Sequence, residues 1–575
     1  MLDQRYFTMR AHLYEREHNQ ICTFKLQELE DIWYCSTKNV KRILHELEAQ
    51  ERLVYQPGRG RGNPSTLQFL SPFQSEVDHY VKNCLHYDQL DKAAQLLRLP
   101  IPKSWIAKSS SDIRKMFGYQ SDTASKDILH AFITRDVMTL DPLRVAISFE
   151  AHLLEQLGDA LLTYDAQHDV IRPHIAHRYE VDETYQVWTF HLRKSVQFHH
   201  REELTSRDVE ATLIRVQQGP ISTSWMTQEI VNIECQGPYK IVITLSKPNP
   251  FFARYMASSN LCILPADTPF DEYEWIGTGP FFMKERTEHK LVLEAFDSYF
   301  KERPLLDEVH FYKVSPEVAD VVNFTIDSPD LSEPQSKHEI ETGFRFLTFN
   351  FQQDNIVQQP DFREAIFHLL DMNKMAKALQ WENWVEASSF MAHRSEHLPK
   401  DSQRIPHLLK KAGYKGETLR LYHLNFERAK REVDWFADEA RKYGISFELH
   451  PFTFKDFYEK NMDPMIDLIF MGEVSSLDPH LSFLGAFYND TLLFRRMFPE
   501  NALTWIDAEL EELKKQMDAS AREAIMARVE AYIRNHNLLI FQHHPVKTRT
   551  FHPLIQNVEF QSFGHFDLTK LWIPN

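Results

Sequence analysis

Residues 37 to 69 leave this chain few ways to fold. Val40, Ile43, Leu44 and Leu47 recur at the spacing of one helical face. Lys38, Lys41, Arg42 and His45 recur on the opposite face. A helix written this way buries one side and turns a basic side to solvent. Behind it, residues 52–56 and 65–69 read as two strands, joined by Pro57-Gly58-Arg59-Gly60-Arg61-Gly62-Asn63-Pro64. The chain has only 16 glycines, so three of them alternating with arginine mark a tight turn that also carries charge.

The preceding residues fit the same unit. Leu2, Tyr6, Phe7, Met9, Leu13 and Tyr14 follow mostly helical spacing within residues 1–20. The run from Thr23 to Trp33 predicts a second helix, capped by Thr23, with Leu26, Leu29, Ile32 and Trp33 in one buried stripe. Tyr34-Cys35-Ser36-Thr37 breaks that stripe and supplies a new N-cap, so the basic helix is expected over residues 38–50. Helix, turn, basic helix and Gly-Arg hairpin, in that order, predict an α/β winged helix-turn-helix over residues 1–72. Ser36, Thr37, Lys38, Asn39, Lys41 and Arg42 would face the major groove of double-stranded DNA. Arg59, Arg61 and Asn63 would reach the backbone or minor groove. Paired half-sites are common for such motifs, so a homodimer is expected.

A chain of 575 residues is too long for one core. No run of about 18 apolar residues is present, so no membrane insertion is expected. Asp3, Arg5, Arg10, Glu15, Arg16 and Glu17 interrupt any apolar stretch of an export signal. The five cysteines are scattered and odd in number, as free thiols in a reducing compartment would be. A cytoplasmic location is therefore expected. The net charge of −17 excludes a protein that coats nucleic acid along its whole length. Residues 36–63 nevertheless hold six Lys and Arg against three Glu, a local basic patch suited to a specific DNA reader.

Residues 73–125 read as a helical connector, with a helix expected over 88–97, a break at Leu99-Pro100-Ile101-Pro102 and a turn at Ser109-Ser110-Ser111. From about Ile128, short strands alternate with helices, the texture of α/β lobes. Met138-Thr139-Leu140-Asp141-Pro142, Leu157-Gly158 to Tyr164-Asp165 and Arg172-Pro173-His174-Ile175-Ala176 are followed by Trp188-Thr189-Phe190-His191-Leu192-Arg193-Lys194-Ser195-Val196-Gln197-Phe198 and Leu204-Thr205-Ser206-Arg207-Asp208-Val209. Gly277-Thr278-Gly279-Pro280-Phe281, Leu306-Asp307-Glu308-Val309, Phe349-Asn350, Phe362-Arg363-Glu364-Ala365-Ile366, Leu409-Lys410-Lys411-Ala412-Gly413-Tyr414 and Asp478-Pro479 continue in order. This collinear set resembles the large solute-binding proteins of oligopeptide- and nickel-type ABC importers. The resemblance implies a two-lobed, periplasmic-binding-protein-like α/β domain (type II, family 5) over residues 126–575. It also implies a cleft for a small solute and lobes closing about a hinge near Gly277-Thr278-Gly279.

The chain departs from that family in places. Ser195 stands where the family usually has Gly, and His200-Arg201 replace its Asp-Gly. Peptide receptors of the family hold the ligand's amino terminus with an acidic residue just before the acidic-Pro step. Counted back from Pro479, that position falls here on Ser475 or Ser476, and a neutral hydroxyl cannot balance an ammonium in a low-dielectric cleft. A plain peptide ligand is thereby disfavoured relative to a sugar-like one. Asn350, Trp381, Trp384, Ser475 and Ser476 are the candidate ligand residues, with the two tryptophans readable as core packing or as a stacking platform.

A winged helix-turn-helix fused to such a receptor resembles the SgrR family of bacterial transcriptional regulators. That resemblance implies a cytoplasmic DNA-binding regulator that senses a small polar solute, a sugar or sugar phosphate. The alternative is a solute-binding component of an ABC oligopeptide-type transporter. No enzyme, cofactor or metal is expected. His393-Arg394-Ser395-Glu396-His397 fits an inverted zinc-protease pattern, but Pro399 ends any helix there, and no nucleophile elbow or phosphate loop is present.

Overall fold

The computed structural model of the chain describes residues 4–58, 63–86, 90–97, 99–102, 105, 119–121, 126–133, 135–313, 335–340, 343–381, 383–551 and 567–572. Its N-terminal unit contains helices α1 (Gln4–Leu13), α2 (Leu26–Trp33) and α3 (Thr37–Ala49) and strands β1 (Ile21–Phe24), β2 (Leu53–Gln56) and β3 (Ser65–Phe69). The strands form an antiparallel sheet in the order β1-β3-β2. β1 corrects the expectation that Thr23 caps the second helix. Thr23 lies in the strand opposite Thr66, because Cys22 and Phe24 alternate into the core on a strand period. α2 starts at Leu26, where the Glu28 carboxylate accepts the Lys25 N–H at 3.0 Å. Tyr34 ends α2 in the left-handed region, at φ 47°.

The core of this unit continues past the hairpin. Phe73, Val77 and Val81 of α4 (Phe73–His86), Leu96 of α5 (Leu90–Leu97), Ile101 and Trp105 pack with Tyr6, Phe7 and Leu29. Arg10 is fully buried there, between the rings of Phe69 and Phe73. It pairs with Glu17 and Glu76 at 2.8 Å each, which ties α1 to α4 and satisfies an otherwise costly buried charge. α5 lies against the strand Glu308–Lys313 of the receptor, and Tyr312 from that strand joins the N-terminal core.

The first lobe of the receptor holds two main sheets. One is antiparallel, in the order Ile230–Cys235, Lys240–Leu245, Val187–Leu192, Ala176–Val181. The hallmark strand Val187–Leu192 sits inside it and buries Trp188, Phe190 and Leu192 by simple alternation. The other has the order Phe281–Arg286, Lys290–Ala295, Glu308–Lys313, Asp127–Ile133, Tyr119–Ser121, with Glu308–Lys313 parallel to Asp127–Ile133. The second lobe centres on a mixed sheet of Ser446–Phe452, Thr418–Leu424, Leu468–Val474, Gly343–Phe349 and Leu539–Phe541.

Ser195 has φ 60° and Arg201 has φ 74°. The two departures from glycine thus occupy left-handed backbone, where a side chain is disfavoured. The hinge expected at Gly277-Thr278-Gly279 is corrected by the packing. A Cβ on Gly277 would collide with the Leu157 carbonyl, and one on Gly279 with that of Gln156. Thr278 Oγ1 also donates to Asp159 at 2.9 Å. The segment is pinned inside the first lobe. Strand Glu308–Lys313 belongs to the first lobe and strand Gly343–Phe349 to the second, while Leu568 and Leu571 pack again in the first.

Candidate functional site

α3 places the basic residues as its sequence requires. Val40, Ile43, Leu44 and Leu47 are buried, while Ser36, Thr37, Lys38, Asn39, Lys41 and Arg42 are exposed on the other side. Thr37 donates to Glu30 and Arg42 pairs with Glu46, so these two are anchored locally, while Lys38 and Lys41 project from the free face. Asn63 is exposed at the foot of the hairpin. Gly58 enters the turn so close to the Asn63 and Pro64 carbonyls that a Cβ would collide with both. Arg59 and Arg61 lie outside the described residues.

A cleft of about 1230 Å³ opens between the lobes. Its first-lobe wall includes Asp159, Tyr164, Trp225, Arg254 and Lys301, and its second-lobe wall includes Glu473, Ser476, Asp478, Ser482 and Asn489. Among the described lining residues, six carboxylates face four Lys and Arg. Asp478 caps the helix Pro479–Tyr488, accepting the N–H groups of His480 and Leu481 at 3.0 Å each. Ser476 forms the turn before it, with its N–H and its hydroxyl on Ser482 Oγ at 2.9 and 2.8 Å.

Across the cleft, Arg254 Nη1 stands 2.7 Å from Asp478 Oδ1, and Arg254 also pairs with Asp169. Asp169 in turn accepts from Tyr164 at 2.9 Å and from Arg522 at 2.8 Å. Burial alone would lower the Arg254 value, but Asp478 and Asp169 hold its guanidinium above the usual range. Burial raises the Asp478 carboxyl against the pull of Arg254. Burial, with Arg522 and Arg254 adding to it, holds His480 down at about 4. Lys514 to Glu229 at 2.8 Å and the Trp225–Tyr488 ring contact at 5.3 Å add further bridges between lobes.

Of the candidate ligand residues, Ser476 lines the cleft. Ser475 is half-buried beside it and is not among the lining residues. Asn350 is buried away from it, where its amide donates to the carbonyls of Asp463 and Ile466 at 2.8 and 3.1 Å. Trp381 packs against His543, with ring centroids 4.8 Å apart, and under the Arg428 guanidinium. Trp384 lies in a short strand opposite Pro545. The zinc-protease pattern is not helical, since a single 3₁₀ turn ends at Arg394 and Ser395 is extended. Arg254 and Asp169 carried no sequence signal, because neither lies in a motif.

Cleft and fold define a solute receptor. The chain belongs to family 5 of the bacterial extracellular solute-binding proteins, whose middle-region model matches residues 170–492. A second model, the N-terminal domain of sugar transport-related small-RNA regulators, matches residues 2–111. With both domains present, it is an SgrR-family regulator carrying a solute-binding domain. The uncharacterized protein YhjP of Bacillus subtilis (strain 168) is 27% identical over 97% of each chain. The HTH-type transcriptional regulator SgrR of Pectobacterium atrosepticum is 24% identical over 78% of this chain and 79% of its own. The periplasmic binding protein DppA of Helicobacter pylori, solved with the peptide STSA, superposes with a TM-score of 0.67 at 18% identity, covering 78% of this chain and 98% of its own. No described helix is long and apolar enough to cross a membrane.

Proposed function

We propose that the chain is a cytoplasmic transcriptional regulator that binds double-stranded DNA through residues 1–72 and senses a small polar, sugar-like solute or sugar phosphate through residues 126–575. Residues 73–125 join the two. It works by binding, not by catalysis. Ser36, Lys38, Asn39 and Lys41 meet base edges or phosphates in the major groove, with Thr37 and Arg42 beside them. Arg59, Arg61 and Asn63 in the wing touch backbone or minor groove. Two copies bind paired half-sites. The supporting observation is the unobstructed basic face of α3 on a unit whose core includes Tyr312 of the receptor. DNA contact and solute contact thus share one packed body.

The test is fluorescence anisotropy of the full-length protein on a duplex from upstream of its own coding sequence, against a scrambled duplex, over a range of salt. Specific binding is expected. A Lys38→Ala/Lys41→Ala variant should bind more weakly, and its log–log salt slope should be shallower by roughly 0.9 for each phosphate it no longer neutralises. Equal binding to both duplexes, or no effect of the variant, would remove the DNA-reading role.

A further inference from the structure

A second pocket lies in the N-terminal unit, on the flank of the basic helix. It holds about 410 Å³ between α1 and α3. Arg5 and Thr8, on one face of α1, line one side, and Asn39, Arg42 and Ile43 of α3 line the other. Trp33, at the end of α2, adds apolar surface, and its indole N–H donates to the Arg5 carbonyl at 3.1 Å. That bond fastens the end of α2 to α1. Among the described lining residues are two guanidinium groups and no carboxylate, in a chain of net charge −17. Glu46, one turn further along α3, pairs with Arg42, whose side chain stays 60% exposed. Arg5 is exposed as well.

Successive helical residues are turned by about 100°, so the stripe of Asn39 and Arg42 adjoins the stripe of Lys38 and Lys41. A helix is about 10–12 Å across and the major groove about 12 Å wide. A helix that turns Lys38 and Lys41 to the base edges therefore carries its flank against the phosphates of one strand. We propose that the pocket between α1 and α3 seats one of those phosphates. Arg5 and Arg42 grip it from two helices, Asn39 and Thr8 donate as neutral groups, and the apolar surface of Trp33 packs on the neighbouring deoxyribose. The inference rests on residues 1–72 binding duplex DNA, and it brings α1 into that contact. A phosphate held between two helices also fixes how deeply and at what angle α3 enters the groove, because phosphate contacts set register and orientation.

Fluorescence anisotropy of the full chain tests it, on the upstream duplex and on a scrambled one, over a range of salt. Arg5→Ala should weaken binding about fivefold and make the log–log salt slope shallower by about 0.9. The loss should be equal on both duplexes, because a phosphate carries no sequence information. Arg5→Glu should lose more, and Arg5→Lys should keep the slope. Lys82→Ala, the same change of charge at an exposed site on α4, should leave the slope unchanged. An unchanged circular dichroism spectrum and thermal midpoint would show that each variant is folded. The inference is overturned if Arg5→Ala leaves the slope unchanged, or if Lys82→Ala lowers it as much. If Lys38→Ala/Lys41→Ala still weakens binding in that case, only the α1 contact falls, whereas a wild type that binds neither duplex removes both readings. Inorganic phosphate, compared with chloride at matched ionic strength, separates the two sources of the anion. Equal competition is expected, and a phosphate-specific effect lost in Arg5→Ala would mark a free-anion site and overturn the DNA assignment.

Discussion

Arg254 and Asp478 face each other from different lobes, with Nη1 2.7 Å from Oδ1. Asp478 is also the cap of the helix Pro479–Tyr488, so one carboxylate both starts a second-lobe helix and holds a first-lobe cation. Through Asp169 the same guanidinium reaches Arg522, which makes the pair the centre of a network across the cleft.

Arg254→Ala should therefore be costly. It leaves Asp478 buried without its cation, a loss of about 3–5 kcal/mol for a broken buried pair. Asp478→Asn on top of Arg254→Ala should recover part of that, since the uncompensated charge is gone. Urea unfolding of the two variants checks both the loss and its partial rescue.

The strand-turn after Leu192 offers a gain. Ser195 and Arg201 both hold positive φ, and glycine adopts that conformation without a Cβ penalty of about 1–2 kcal/mol. Ser195→Gly is expected to stabilise the first lobe by roughly 1 kcal/mol. Arg201→Gly should stabilise less, because the Arg201 guanidinium packs over the Phe296 ring at 4.9 Å. Denaturation midpoints of the single variants give the order.

Acid should loosen the receptor at defined points. Gly277 N–H donates to His199 Nδ1 at 3.2 Å, which leaves Nε2–H to donate to the Gly279 carbonyl at 3.2 Å and requires a neutral ring. Burial holds His199 at about 4, below the ordinary 6.5. The unfolded chain therefore takes up the proton first. The stability held by neutral His199 is complete above about pH 6.5 and is lost as pH falls toward about 4. Urea midpoints across this window should fall for the wild type and fall less for His199→Asn.

Tyr312 carries part of the contact between modules, beside α5 on the same strand. Tyr312 is 3% exposed and packs into the N-terminal core from a receptor strand. Tyr312→Ala should cost about 3 kcal/mol and speed proteolytic separation of the N-terminal unit from the receptor. Limited proteolysis of wild type and variant under native conditions provides the comparison.

Local pattern made the N-terminal unit legible. Four apolar positions fixed the buried face of α3, and the residues 65–69 expected as a strand are β3 as found. β1 was missed because Thr23 followed by a helical stripe reads equally as a cap, and only pairing with β3 decides. In the receptor, the hallmark alternation placed Trp188, Phe190 and Leu192 inward. The cleft was legible only in part. Ser476 was reached by counting back from Pro479, whereas Arg254 and Asp169 meet Asp478 and Arg522 across more than 200 residues of chain. Such pairs are set by how the lobes approach, which no local period encodes. The expected hinge failed for a related reason: glycines that permit motion also permit close packing, and at Gly277 and Gly279 packing wins.

The most direct test of a ligand-gated regulator is the affinity of the full chain for its own upstream duplex, measured with and without a saturating solute from a panel of sugars, sugar phosphates, amino sugar phosphates and short peptides. One solute is predicted to shift that affinity by about 5-fold or more, and the duplex to shift the affinity for that solute by the same factor. A solute that binds the cleft of the wild type but not of cleft variants, and leaves the DNA affinity unchanged, would contradict coupling between the two sites.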